Sequence, residues 1–276
     1  MNQLSHHKSF GYNNVPSFKL TFISLMGFIA LWVATAMFSL ANAQTENTAS
    51  GAPQMDLNRP ILIVGDSLSS EYGIRRQTGW VELLRQRLGE RYDNPPEVIN
   101  ASISGDTTSG GVSRLPKLLE QHQPGLVIVE LGGNDALRGL SLDMTRENLT
   151  DMIERSQEAG ALTILTGIQI PANYGPVYTE AFRTLYPEIA DATGARLVPF
   201  LMAGLETDRN LFIEDGIHPS EQAQPILLDN VWAALEPALP ETEKATVQST
   251  NQTADKTTNK TTGETAASNA SQAAVN

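Results

Sequence analysis

The middle of the chain alternates between two kinds of apolar pattern, and this alternation limits the possible folds more than any other feature. Short runs that are apolar at successive positions are typical of strands buried on both faces, and apolar residues three and four positions apart are typical of helices. The predicted strands are 60–64, 97–101, 126–131, 162–166 and 196–200, and the predicted helices are 80–88, 111–121, 144–158, 178–192 and 220–235. Because a strand, a helix and a second strand form a parallel crossover, we expect an α/β protein: a three-layer α/β/α sandwich with a five-stranded parallel sheet.

The two ends of the chain differ in composition from this middle part. An apolar run over residues 20–40 is followed by Ala41-Asn42-Ala43, a pattern typical of a signal-peptidase site. A run of this length is also long enough to stay in the membrane as an anchor. The predicted organisation is a signal peptide at 1–43, a linker at 44–57, one folded domain at 58–240 and a disordered low-complexity tail at 241–276.

Charge and composition exclude several classes of function. The chain has 31 acidic and 19 basic residues, and its formal net charge is −12. Such an acidic surface is poorly suited to neutralising phosphates, so we expect no nucleic-acid partner. The absence of cysteine excludes disulfides, thiolate metal sites and a cysteine nucleophile. The leader predicts an exported protein, either periplasmic or secreted.

Polar side chains follow four of the five predicted strands, close to the end of the first three of these and near the end of the domain after the fifth strand. In an open parallel sheet, ligands bind outside this carboxyl edge. The four blocks are Gly65-Asp66-Ser67-Leu68-Ser69, Ser104-Gly105-Asp106-Thr107, Gly132-Gly133-Asn134-Asp135 and Asp215-Gly216-Ile217-His218-Pro219. Each block by itself is also typical of a turn or a helix start. Together they predict one functional site at this edge.

Ser67 is the candidate nucleophile, and a helix N-cap is the alternative interpretation of this residue. A serine nucleophile needs a base, and removal of the leader leaves only His122 and His218. His122 precedes the third predicted strand, which places it at the opposite edge of the sheet. His218 is therefore the candidate base, and Asp215 is the candidate residue that orients its ring. A turn followed by a helix start is the alternative reading of that block.

Gly105 and Asn134 are the candidate donors for an oxyanion. A glycine at a strand end lets its backbone amide approach a ligand closely, and an asparagine side chain carries two N–H donors. Together with the backbone amide of Ser67, they would provide three donors at neighbouring strand ends. A loop of turn-forming residues is the alternative interpretation of the Asn134 block.

The four blocks resemble those of the SGNH (GDSL-type) hydrolases, in particular the bacterial branch of thioesterase I, arylesterase and lysophospholipase. The serine, glycine, asparagine and histidine that name the family correspond to Ser67, Gly105, Asn134 and His218. The resemblance implies a flavodoxin-like fold, an acyl-serine intermediate, no cofactor and no metal. It also implies a monomer that acts on small-molecule esters, thioesters or lysophospholipids and meets a membrane only through a lipid substrate or an uncleaved leader.

Two details of the resemblance concern the substrate pocket. The segment with Ala136, Leu137 and Leu140 resembles a mobile loop that lines the acyl site in relatives, and ordinary core at a helix start is the alternative. Glu71 occupies a position where close relatives tend to have a small residue. We expect its carboxylate to alter the lip of the pocket.

Two other classes of function remain open at this point. A metal-dependent phosphoesterase would use Asp66, Asp135, Asp215 and His218 as ligands, because hard cations prefer carboxylates. These residues lack the spacing of a known ligand set, and the scheme leaves the serine block without a role. A non-catalytic exported binding module could have the same α/β layers. Sensitivity to a chelator would indicate the first class, and ligand binding that survives Ser67→Ala would indicate the second.

Overall fold

Five parallel strands form the central layer of the computed structural model, which describes residues 53–241. The strands are β1 (Ile61–Gly65), β2 (Val98–Asn100), β3 (Leu126–Glu130), β4 (Leu162–Thr166) and β5 (Arg196–Val198). The helices are α1 (Trp80–Arg91), α2 (Thr108–His122), α3 (Gly133–Leu137), α4 (Leu142–Glu158), α5 (Pro176–Thr193) and α6 (Gln224–Leu235), with short 3-10 helices in the connections. The sheet order is β2-β1-β3-β4-β5. The predicted fold class, a three-layer α/β/α sandwich of the flavodoxin-like type, is confirmed.

The two central strands β1 and β3 are buried along their whole length. Ile61 and Ile63 of β1 pack in the layer formed by α1 and α6, whereas Leu62 and Val64 pack in the layer formed by α2, α4 and α5. A strand covered on both faces needs apolar residues at successive positions. This is why the strands have continuous apolar runs in the sequence.

The chain changes direction across the sheet between β1 and β3. It leaves β1 to form β2 on one side and then crosses back to form β3 on the other side. The carboxyl ends of these two strands are in register, with Gly65 paired with Glu130. Open α/β sheets bind ligands in the crevice at such a switch point. The connections that follow β1 and β3 are therefore the expected place for the site.

Several helices begin earlier than the apolar periodicity predicts. Helix α2 begins at Thr108, α4 at Leu142 and α5 at Pro176. The first turn of a helix is often polar and is fixed by capping or by proline, so it lacks the apolar repeat. In α4, for example, the side chain of Ser141 accepts a hydrogen bond from the backbone amide of Met144. The short helix α3 was not predicted.

The packed chain extends beyond the predicted domain boundary at Asn58. Met55, which was assigned to the linker, is buried, and its backbone amide donates a hydrogen bond of 2.7 Å to the carbonyl of Ala238. The predicted signal peptide, most of the linker and nearly all of the tail lie outside the described residues. Within residues 53–241, none of the helices has the length and apolar character needed to cross a membrane.

Candidate active site

The side chains of Ser67, His218 and Asp215 form a continuous chain of hydrogen bonds. The Nε2 atom of His218 lies 2.8 Å from Ser67 Oγ, and its Nδ1 atom lies 2.6 Å from Asp215 Oδ2. An ionised carboxylate only accepts, so Nδ1–H is the donor to Asp215 and Nε2 is left to accept the serine hydroxyl. In this arrangement the hydroxyl can pass its proton to a neutral imidazole as its oxygen attacks an electrophile.

Asp215 is stabilised as a carboxylate by its own loop. Its Oδ1 atom accepts hydrogen bonds from the backbone amides of Ile217 and His218, at 2.8 Å and 2.9 Å. Burial tends to raise the pKa of Asp215, but these amides and the His218 ring outweigh it, so the pKa lies below its ordinary value. A carboxylate at this position favours the imidazolium that forms when the ring takes a proton.

Ser67 lies in a turn that follows β1, and the structure does not place it at the N-cap of a helix. The amide of Ser70 donates to the carbonyl of Asp66 at 3.1 Å, and the amide of Tyr72 donates to the carbonyl of Ser67 at 3.4 Å. Helix α1 begins well after this turn. The ring of Tyr72 contacts the ring of His218, with centroids 4.5 Å apart. The turn therefore supplies both the candidate nucleophile and an aromatic neighbour for the candidate base.

Gly105 lies in the connection after β2, and neighbours on two sides hold this connection in place. Its φ of +77° is one that glycine adopts without a steric penalty. The hydroxyl oxygen of Ser104 lies 2.7 Å from that of Ser70, which links the connection to the turn after β1. Arg138 donates from Nη2 to the carbonyl of Gly105 at 2.7 Å, which links it to the connection after β3. Arg138 was not identified from the sequence.

Asn134 lies in the first turn of α3, directly after the carboxyl end of β3. Its Nδ2 atom donates a hydrogen bond of 2.9 Å to Oδ2 of Asp66. This bond uses one of the two hydrogens of the side-chain amide. The second hydrogen is left for a ligand, and the Asp66 carboxylate fixes the orientation in which it is presented.

Glu130, the last residue of β3, belongs to the site and was missed at the level of the sequence. It is completely buried, and its Oε2 atom accepts hydrogen bonds from the hydroxyl of Ser69 at 2.7 Å and the amide of Asp66 at 3.2 Å. Burial, and then the charge of Asp66, raise the pKa of Glu130 well above its ordinary value. A single carboxyl group inside an apolar strand is the sequence signal that could have identified it.

Asp66 is almost completely buried between Glu130 and the candidate triad. Burial raises the pKa of Asp66 to about 6, although the amide of Leu68, the ring of His218 and the side chain of Asn134 act in the opposite direction. The sequence marked Asp66 only as a possible metal ligand. The structure instead makes it an acceptor for the side chain of a candidate oxyanion donor.

The three residues predicted to line the acyl site differ in their exposure. Ala136 is fully buried and packs in the core between the sheet and helices α2, α4 and α5, which is inconsistent with a side chain that lines an open pocket. Leu140 is half-buried, and Leu137 is exposed. The hydroxyl of Tyr174 donates to the carbonyl of Leu137 at 3.4 Å, so this segment contacts the connection after β4.

The carboxylate of Glu71 contacts the start of helix α1. Its Oε1 atom accepts a hydrogen bond of 2.9 Å from the amide of Gly79, which precedes the first residue of α1. A carboxylate at a helix N-terminus also interacts favourably with the helix dipole. The carboxylate is therefore engaged in holding the start of this helix.

The four side chains considered as metal ligands point to different partners. The carboxylate of Asp135 is buried and accepts hydrogen bonds from the amide and the hydroxyl of Thr108. Asp66 accepts a hydrogen bond from the side chain of Asn134, and Asp215 accepts a hydrogen bond from the backbone amide of Ile217 in its own loop. Within the part of the chain that the structure describes, no three His, Asp or Glu side chains are arranged to hold a metal ion. The geometry does not favour the phosphoesterase alternative.

Comparison with known proteins gives a family match and several similar proteins. Residues 63–225 match the model of the GDSL-like Lipase/Acylhydrolase family. The esterase TesA of Pseudomonas aeruginosa is 48% identical over 180 residues, which are 65% of this chain and 89% of that protein. The thioesterase 1/protease 1/lysophospholipase L1 of Escherichia coli K12 is 42% identical over 177 residues, which are 64% of this chain and 83% of that protein.

A solved structure agrees with these matches. The psychrotrophic esterase EstA from Pseudoalteromonas sp., in a form inhibited by monoethylphosphonate, has a TM-score of 0.61 and 40% sequence identity, over 64% of this chain and 97% of that chain. The family match spans more than half of the chain and contains all four strand-end blocks. The chain therefore belongs to the GDSL-like lipase/acylhydrolase family.

Proposed function

We propose that this family member hydrolyses carboxylic esters and thioesters of small molecules through an acyl intermediate on Ser67. The observation that carries the proposal is the 2.8 Å contact between Ser67 Oγ and His218 Nε2, with Asp215 bonded to the other ring nitrogen. The names of the relatives, which include esterase, thioesterase, lysophospholipase and arylesterase, support the same class of reaction.

Acylation follows from the geometry of the triad. His218 accepts the hydroxyl proton of Ser67 as Oγ attacks the carbonyl carbon, and Asp215 keeps the ring oriented and favours its charged form. The oxyanion is stabilised by the amides of Ser67 and Gly105 and by the side chain of Asn134. His218 then donates the proton to the leaving alcohol or thiol, and the acyl group stays on Ser67.

Deacylation uses the same groups in reverse. His218 accepts a proton from water, and the resulting hydroxide attacks the acyl carbon. The proton returns to Oγ of Ser67 as the carboxylic acid leaves. Both half-reactions need a neutral His218, so we expect activity to fall at acidic pH. The scheme requires no cofactor and no metal ion.

The rim of the site favours substrates with an apolar part. Within residues 53–241, the exposed large apolar side chains all lie in the connections after the strands or in the helix turn that follows. They are Tyr72, Ile103, Leu137, Tyr174, Val177 and Ile217. Apolar side chains gathered around a polar centre are typical of a ligand site. We propose that acyl or aryl groups, including those of lysophospholipids, contact this rim.

The test is a series of p-nitrophenyl esters of increasing chain length, with the exposed Ser113→Ala as a matched control for Ser67→Ala. We expect Ser67→Ala to lower kcat by at least about 10³-fold and Ser113→Ala to leave it unchanged. A reactive phosphonate should label the wild type and the control but not Ser67→Ala. Equal rates for Ser67→Ala and wild type, or loss of activity with a chelator, would overturn the proposal.

We propose further that the chain is exported and that residues 1–43 are removed after Ala43. The leader pattern and the threonine-rich, low-complexity tail support an organisation of linker, domain and tail in a periplasmic or secreted protein, and the family resemblance supports a monomer. Protein sequencing of the mature N-terminus and light scattering test these points. If the protein is found in the membrane fraction with its leader intact, the leader is an anchor. Contact with the membrane would then not depend on a lipid substrate.

A further inference from the structure

The Asp66 carboxylate joins two parts of the proposed site. Its Oδ2 atom accepts from Nδ2 of Asn134 at 2.9 Å, and its Oδ1 atom accepts from the amide of Leu68 at 3.0 Å. The first bond fixes the side chain of a proposed oxyanion donor, and the second fixes the turn that carries Ser67. One buried carboxylate therefore sets the relative position of the nucleophile and this donor.

Glu130 lies directly behind Asp66. It pairs in register with Gly65, and its Oε2 atom accepts from the amide of Asp66 and the hydroxyl of Ser69. Its Oε1 atom is buried and has no hydrogen-bond partner in the part of the chain that the structure describes. An acceptor oxygen without a donor in a protein interior is costly, but the same oxygen becomes a donor if it carries a proton.

Several charged or titratable groups lie close to the Asp66 and Glu130 side chains. The groups that act on Asp66 are Glu130, Asp106 and the ring of His218, and the charge of Asp66 in turn acts on Glu130 and on the Tyr186 hydroxyl. Within residues 53–241, no Arg or Lys is paired with either carboxyl group. Ionisation of one of two neighbouring buried carboxyl groups disfavours ionisation of the other when no cation is paired with them.

Asp66 is the better placed of the two to be charged. It accepts hydrogen bonds from an amide of the backbone and from Asn134, and it lies near the imidazole. Glu130 is completely buried, and its Oε1 atom has no hydrogen-bond partner among the described residues, whereas each oxygen of the Asp66 carboxylate accepts a hydrogen bond. These contacts favour one proton on the pair, carried by Glu130.

We propose that Asp66 is a positioning residue that orients Asn134 toward the oxyanion, and that Glu130 supports it as a neutral acid that shares its proton with Asp66. The proposal rests on the function given above only in treating Asn134 as an oxyanion donor. The proton stays between the Glu130 and Asp66 side chains, so this arrangement needs no other acid or base to supply or remove it. Because Asp66 acts through Asn134, its loss should affect kcat more than KM.

The first experiment is a double-mutant cycle with Asp66→Asn and Asn134→Ala, measured on p-nitrophenyl butyrate. Asparagine has the size of aspartate, and its oxygen can keep the bond from the Leu68 amide, but its nitrogen then faces Asn134 and cannot accept from it. We expect Asp66→Asn to lower kcat by about 10–100-fold, below the 10²–10³-fold expected for Asn134→Ala. In the Asn134→Ala background, the additional loss should be less than about threefold, because both changes remove the same interaction. Additive losses would overturn the positioning role.

The second experiment does not depend on catalysis. Infrared spectroscopy at pH 7 should show the carbonyl band of a protonated carboxyl group in the wild type. The band should disappear in Glu130→Gln and remain in Glu90→Gln, which changes an exposed glutamate of α1. A wild-type spectrum without this band would show that Glu130 is ionised and would overturn the shared proton. Activity that survives Ser67→Ala would instead contradict the proposed function and leave the infrared result unaffected.

Discussion

The Nε2 atom of His218 lies 2.8 Å from the Oγ atom of Ser67, although 151 positions separate the two residues in the chain. The contact exists because the turn after β1 and the loop after β5 both follow the carboxyl ends of parallel strands, which lie at the same edge of the sheet. The loop of His218 is itself closed by a hydrogen bond of 2.9 Å from the amide of Ile213 to the His218 carbonyl. The imidazole is thus presented to the serine from a constrained turn.

Asp215→Asn should lower kcat by about 10³–10⁴-fold while the protein stays folded. An asparagine can present its N–H₂ group to Nδ1 of His218, which favours the tautomer with the proton on Nε2 and removes the acceptor for Ser67. Steady-state kinetics with circular dichroism measure both effects. A kcat within tenfold of the wild type would mean that Asp215 does not control the ring.

Arg138→Ala should lower kcat by about tenfold or more, because the carbonyl of Gly105 loses the hydrogen bond that holds its peptide. Lysine should restore little of this loss, since its point charge on a flexible stem does not reproduce the planar guanidinium. Arg146→Ala, which breaks an exposed ion pair with Glu188 between α4 and α5, is the matched control. Equal kinetics for the two alanine variants would remove Arg138 from the site.

Gly65→Ala should destabilise the fold by about 1–3 kcal/mol. A Cβ atom at this position would lie 2.6 Å from Oε2 of Glu130 and 2.9 Å from the hydroxyl oxygens of Ser69 and Ser102, distances that real Cβ atoms do not show. Chemical denaturation gives the free energy of unfolding. Gly89→Ala is the control, because apart from the helix's own nearby backbone no atom of residues 53–241 lies within 4 Å of the added methyl group.

In the control, alanine inside α1 should increase the free energy of unfolding by up to about 1 kcal/mol, through its higher helix propensity. The opposite signs at the two glycines separate a steric conflict from a general effect of replacing glycine. Similar stability changes for both variants would contradict the steric account.

Glu130→Gln should become more stable relative to the wild type as the pH rises from 4 to 8. The pKa of Glu130 is raised in the folded protein, so its contribution to wild-type stability is fully present below its ordinary pKa of 4.5 and is lost as the pH rises through the folded value. Glutamine carries no ionisable proton and lacks this dependence. The difference between the unfolding free energies of the two proteins measures the effect, because carboxylates with lowered pKa values, such as Glu221, contribute equally to both.

A difference that stays constant with pH would show that Glu130 has the same protonation in the folded and unfolded chain. Glu90→Gln tests the general effect of removing a negative charge from a protein with a net charge of −12. Its stability relative to the wild type should change little over the same pH range.

The layers of the fold follow from local sequence patterns. β1 and β3 are buried on both faces and therefore have continuous apolar runs, which the chain shows without reference to any distant residue. The ends of the helices were less predictable. The amide of Thr108 at the start of α2 donates to the distant Asp135 carboxylate, and Pro176 fixes the backbone at the start of α5, and neither feature produces an apolar repeat in the sequence.

The candidate triad could also be predicted from the sequence, for a topological reason. Parallel strands place all their carboxyl ends at one edge, so polar blocks after different strands are expected to meet. With His122 at the other edge of the sheet, His218 was the remaining histidine near Ser67. The exposure of the neighbouring side chains did not follow from this rule, and Ala136 proved to be buried.

The pairing of Asp66 with Asn134 and Glu130, and the contact of Arg138 with Gly105, were decided only by the tertiary structure. The sequence alone established that a hydroxyl, an imidazole and a carboxylate would reach one edge of a parallel sheet. It did not establish that Asp66 and Glu130 have raised pKa values. That property depends on burial and on charges contributed by distant strands, and these come together only when the chain is folded.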